Sequence, residues 1–92
     1  MSTIKEVSVS KPTQQQIETA ENWPIWEKEA SEFPWQYTQM EKCLLIEGEV
    51  TVYSEDKTES VSFSAGDYVT FPEGLTCIWK IEKAVKKHYD FE

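Results

Sequence analysis

GDYVTFPEGLTCIW, residues 66–79, is the stretch from which the fold of this chain is read. Gly66-Asp67 reads as a turn, Tyr68 to Phe71 as a short strand of β-branched and aromatic residues, and Pro72-Glu73-Gly74 as a second turn that stops it. Leu75 opens a new strand. Pro72 presets φ for the second position of a type I turn beginning at Phe71, and Gly74 falls where such turns favour glycine. Two strands therefore meet at a tight corner. Beyond it Cys77 and Trp79 stand two residues apart, which on a strand puts them on one face.

Outward from this corner the pattern stays β. Residues 42–54 and 59–64 read as a hairpin whose polar turn, SEDKT, lacks Asn-Gly or Asp-Gly and so predicts a longer loop built on a type I turn. Strand runs recur at 68–71, 75–82 and 84–91. Residues 3–10 alternate as an edge strand would. Thr13 with Gln16 forms a capping box ahead of QQQIETAEN, a short helix anchored by Ile17 that docks across one end of a sheet. Pro24 and Pro34 mark strand starts or edges. Many short strands, regular turns and almost no helix indicate a β-sandwich or barrel, and residues 1–92 make one domain.

Composition narrows the function classes. Nine lysines, no arginine and seventeen acids give a net charge of −8, a surface that repels phosphate backbones and anionic lipid; nucleic-acid and membrane partners are not expected. The segment NWPIWEKEASEFPWQY, residues 22–37, is dense in aromatics, but its Lys28 stands among Glu27, Glu29 and Glu32. A stacking platform for single strands pairs its aromatics with basic groups, so core and barrel-mouth packing is the better account. No window is apolar enough to span a membrane, and MSTIKEVSVSKPT lacks a secretory core. Two cysteines, Cys43 and Cys77, are too few for a disulfide framework. Free thiols and a cytoplasmic location are expected.

Two spacings carry a family resemblance. Glu41 is followed after six residues by Gly48, and Gly66 after five by Pro72-Glu73-Gly74 and, after two more residues, by Cys77. The pair resembles the two motifs of the cupin superfamily, here at about 35–48 and 66–77. The ordered series WPIWEKEASEFPWQY, EKCLLIEGEV, AGDYVTFPEGLTCIWK and KKHYDF is similar to the short stand-alone cupins related to ureidoglycine aminohydrolases, which include a small thermophilic bacterial member of unassigned activity. The resemblance runs from residue 3 to the end. It implies an all-β, RmlC-like jelly-roll barrel with a short N-terminal helix, and a pocket for a small nitrogen-containing molecule. In metal-dependent cupins the first motif carries two histidines and a glutamate, the second motif a third histidine. Here those histidine positions fall on Trp35, Tyr37 and Cys77, and only Glu41 keeps its type. The usual three-histidine metal site is absent, and no cofactor is implied.

Alternation assigns the faces. With Glu41 inward, Trp35, Tyr37, Gln39, Cys43 and Leu45 also point in, while Gln36, Thr38, Met40, Lys42 and Leu44 point out, unless a bulge before Glu41 flips the earlier half. The resemblance places Cys77 and Trp79 inward. The expected cavity has aromatic walls (Trp35, Tyr37, Trp79), one carboxyl group and two thiols, with His88 near its rim. Glu41 is the first catalytic candidate, since burial among aromatic rings suits a carboxyl group to general acid or base work; the structural alternative is pairing with a lysine or backbone amides. Cys77 is a possible nucleophile if a base activates it, with His88 as that base. Trp35, Tyr37, Cys43, Trp79 and His88 are the ligand-binding candidates. Lys80, Lys83, Lys86 and Lys87 read as a solvated face.

Three functions compete. The first is a metal-independent barrel that binds or transforms a small polar nitrogenous metabolite. The second is an unconventional metalloenzyme ligated by Glu41, Cys43, Cys77 and His88, all acceptable ligand types for zinc or iron. The third is a non-enzymatic module that recruits a protein through aromatics near Trp23 to Trp26. Edge-strand pairing into a homodimer is also expected.

Overall fold

The computed structural model describes residues 3–92. Among them a 3-10 turn, Ile4–Glu6, precedes strand β1 (Ser8–Ser10) and helix α1 (Gln14–Ala20). Six further strands follow: β2 (Ile25–Lys28), β3 (Ser31–Gln36), β4 (Glu41–Ser54), β5 (Ser60–Ser64), β6 (Tyr68–Phe71) and β7 (Thr76–Phe91). β4 and β7 run antiparallel along nearly their whole length, from Glu41 opposite Phe91 to Ser54 opposite Cys77. Each serves two sheets. On one side of a bend the order is β1-β6-β4-β7-β2; on the other, β5 pairs with β4 and β3 with β7. Closed in this way around one apolar interior, the strands form a cupin jelly-roll barrel with a single short helix, the fold class expected.

The bend has a local cause. Register slips three times between Leu45 and Val50, and Gly48 sits at φ +111 where a Cβ would lie 2.6 Å from the Ala84 carbonyl oxygen. Only a residue without a side chain lets the two long strands approach so closely. One consequence is a change of face within β4. Glu41, Cys43 and Leu45 are buried before the bulge, Val50 and Val52 after it. β7 keeps one inward phase on either side of the bend, with Cys77, Trp79 and Ile81, then Val85 and Lys87, buried and Lys83 between them exposed.

Several expected boundaries shift. The runs 75–82 and 84–91 are one strand: β7 continues through Lys83, which pairs with Glu49 of β4, although Glu82, Lys83 and Ala84 are all exposed. The strand expected over 3–10 is cut to Ser8–Ser10, since the Glu6 and Val7 amides bond back to the Thr3 and Ile4 carbonyls and tuck Ile4 into the core. At the corner, Gly74 N–H donates to Tyr37 O (2.7 Å) and Tyr37 N–H to Leu75 O (2.8 Å). The turn is therefore tied to the end of β3 instead of closing back on Phe71.

The capping box of α1 is complete, with Gln16 N–H donating to Thr13 Oγ1 and Thr13 N–H to Gln16 Oε1. The helix docks on the outside of the barrel. Its fully buried residue is Ala20, packed with Leu44 and Tyr68, with Ile17 and Trp23 at the margin. Leu44 thus points out of the barrel, as the alternation requires, and is covered all the same. No helix among the described residues is long and apolar enough to cross a membrane.

Candidate functional site

The inner end of the large sheet holds a buried ion pair. Lys87 Nζ donates to Glu41 Oε2 at 2.7 Å, and Tyr37 Oη donates to Glu41 Oε1 at 2.8 Å. Glu41 is 1% exposed and Lys87 5%. Glu41 opens β4, Lys87 lies on β7, and Tyr37 is the first residue beyond β3, so three elements meet on one carboxylate. The ammonium also sits in the corner of two indoles, 4.6 Å from the Trp79 ring centroid and 4.9 Å from that of Trp26. Trp26 stands directly opposite Lys87 in the β2–β7 ladder, which fixes this contact.

Above the pair is a cavity of about 230 Å³. Glu41, Lys87 and Tyr37 form its floor. Trp26, Phe33 and Trp79 line it, the latter two stacked 17° from parallel, together with Tyr89 and Phe91. Trp35 stands at the mouth, 45% exposed, its ring 75° from that of Tyr37 in a T-shaped contact. Burial, first, and then the Glu41 carboxylate push the Tyr37 phenol well above its ordinary value, so it stays protonated and donates. The Trp79 Nε1–H is buried and has no protein acceptor among the described residues.

The candidate residues divide. Glu41, Tyr37, Trp79 and Trp35 meet at the cavity as expected. Glu41 is not a lone carboxyl group among rings, however; the lysine-paired alternative is the arrangement present. Cys43 and Cys77 are free, fully buried and part of the core behind the cavity wall. Desolvation pushes both thiols up to about 12, and Cys77 Sγ faces the Trp35 carbonyl at 3.6 Å. His88 lies one residue out of phase with Lys87, and its Nδ1 is 3.0 Å from Trp23 O, so it is not brought to Cys77 or to the cavity. Gln39, expected inside, is exposed because β3 ends at Gln36 and the chain turns before Glu41. Trp23 and Trp26 are half-buried against Tyr68 and Trp79, not a free surface.

Lys87, expected on a solvated lysine face, is instead buried against Glu41 and is the centre of the site. Counting by twos from Trp79 along β7 gives Ile81, Lys83, Val85, Lys87, Tyr89 and Phe91, of which all but the exposed Lys83 are buried or line the cavity. The signal lay in the alternation and was hidden by the neighbouring lysines. Among the described residues no group of three or more His, Cys, Asp or Glu is placed to hold a metal ion. At the positions where cupins carry metal-binding histidines, Trp35 offers no ligand atom, Tyr37 is committed to Glu41, and Cys77 faces a carbonyl. An ammonium already neutralises Glu41. The residues present do not fit the usual cupin metal.

A bent antiparallel barrel enclosing a side-chain-lined cavity defines the cupin class. Within it the chain belongs to the EutQ-like cupin domain family, whose model matches residues 16–89. It is similar to a DUF861 family protein from Thermotoga maritima, at 46% identity and a TM-score of 0.88 over 95% of this chain and 100% of that one. The EutQ protein of Clostridium difficile shares the fold at 19% identity and a TM-score of 0.65; the match covers 73% of this chain and about half, 52%, of that protein. A putative ethanolamine utilization protein Q from Salmonella typhimurium LT2 shares it at 21% identity and a TM-score of 0.64, over 92% and 68%. No curated protein matches the chain.

Proposed function

We propose that this chain binds a small, polar, nitrogen-containing molecule in the aromatic cavity, with Glu41 and Lys87 as the polar contacts at its floor. The observation that carries the reading is the buried Glu41–Lys87 pair opening onto a cavity walled by aromatic rings. Burying two charges costs several kcal/mol per ion, and apolar residues of similar volume often serve stability as well or better. A pair kept at the base of a cavity therefore points to recognition, where a few placed polar groups orient a ligand between apolar walls. The volume equals the liquid share of about eight waters, which suits a single-ring or similarly compact molecule.

The nitrogenous character rests on pattern and likeness. Glu41 accepts and Lys87 donates side by side, which suits a group carrying both N–H and a lone pair. The sequence resemblance is to cupins related to ureidoglycine aminohydrolases, and one fold neighbour is named for ethanolamine utilization; both names concern small nitrogen compounds. Free, buried thiols accord with a reducing, cytoplasmic setting.

The test is a thermal-shift screen of compact nitrogenous metabolites on the native protein, Glu41→Gln and Tyr37→Phe. A hit should lose at least about tenfold in affinity in Glu41→Gln, the effect of one charge-assisted hydrogen bond. Hits that bind all three proteins equally would remove the floor from the site.

A further inference from the structure

Of the nine lysines Lys87 is the one that is buried, and it alone lines the cavity. We propose that Lys87 captures carbonyl compounds: its Nζ condenses reversibly with a small aldehyde or ketone that enters the cavity, giving a protonated imine paired with Glu41. This deepens, and rests on, the reading of the cavity as a ligand site. A lysine that does such chemistry needs access to the ligand, a base within hydrogen-bond reach, a proton donor for the departing oxygen and shelter from bulk water. Lys87 lines the cavity, Glu41 Oε2 is 2.7 Å from its Nζ, Tyr37 Oη lies beside the same carboxylate, and aromatic rings form the walls.

The proton inventory closes on these groups. Lys87 passes one proton to Glu41, and the lone pair freed on Nζ bonds to the carbonyl carbon. The π pair moves to oxygen, which takes the proton from Glu41. The nitrogen, now positive, returns a proton to the Glu41 carboxylate and leaves a neutral carbinolamine. Glu41 then protonates the hydroxyl, the C–O bond breaks, water leaves, and the nitrogen lone pair closes the C=N bond. Ammonium plus carbonyl has become protonated imine plus water. Nitrogen carries one positive charge before and after, so the carboxylate and indole faces that hold the ammonium hold the product as well.

Benzaldehyde with sodium cyanoborohydride, applied to the native protein and read by peptide mass spectrometry, tests this. Lys87 should be benzylated near one equivalent, and faster than exposed Lys5 or Lys80 despite its burial. Glu41→Gln should slow labelling at Lys87 by about a hundredfold, within the range for a general base, and leave Lys5 and Lys80 unchanged. Indole N–H resonances of Trp26 and Trp79 report entry of the probe in parallel. Entry without a Lys87 adduct overturns the lysine chemistry and leaves the ligand site standing. Neither entry nor adduct overturns both. Should Glu41→Gln not fold, the ranking of Lys87 against exposed lysines in the native protein decides alone.

Discussion

Lys87 and Glu41 neutralise each other in a place where neither would be tolerated singly. Removing one partner of such a pair leaves an uncompensated buried charge, a cost of about 3–5 kcal/mol. The indole corner holds part of the ammonium's energy, so Lys87 is better placed to survive alone than Glu41. In urea unfolding, Glu41→Gln and Lys87→Met should each lose stability in that range. The double variant should lose clearly less than the two together, and additive losses would show that the residues do not act as a pair. At this scale the sequence was half legible. Glu41 was found through its motif position. Lys87 was masked, because four lysines within eight residues look like a solvated face until each is assigned to its side of β7.

The elements turn on two glycines with opposite surroundings. Both have positive φ, but a Cβ at Gly48 would meet the Ala84 oxygen at 2.6 Å and the Lys83 oxygen at 2.9 Å, while a Cβ at Gly66 meets nothing within 4 Å. Gly66→Ala should cost only the backbone term, about 1 kcal/mol. Gly48→Ala adds a clash with backbone that neither strand can relieve and should cost upwards of about 3 kcal/mol, enough to threaten a domain of this size. Equal losses in denaturant melts would contradict the crossing described here. The corner at 66–79, the hairpin and the capped helix were legible because turn and cap residues act locally. The bulge was not, since β4 changes face only through its partner β7, a long-range contact that no local pattern announces.

For the whole molecule, proton linkage sets the pH limits. Tyr37, Cys43 and Cys77 hold their protons more tightly folded than unfolded, the thiols to about 12. Unfolded chains release these protons from about pH 8.5 for thiols and 10 for tyrosine, so stability is intact below those values and lost as pH rises through the folded ones. Asp56 is held at about 2 by Thr58 and Ser54, which works oppositely: its share is lost as pH falls from about 4 toward 2. The melting temperature should therefore level off near neutrality and fall on both sides, with Cys43→Val removing part of the alkaline fall. A profile flat to pH 11 would contradict the thiol and phenol environments. The barrel itself was legible from alternation and motif spacing; which side chains face one another across it was not, because that depends on where the two sheets fold over.

Lys87 gives the most direct reading of the site. Its ε-methylene lies beside two indole rings, so in a lysine-selective NMR spectrum it should stand upfield of the other lysines. It should also move saturably with any compact nitrogenous ligand that binds. A Lys87 signal among the exposed lysines, or one that stays fixed while a ligand binds, would contradict the account.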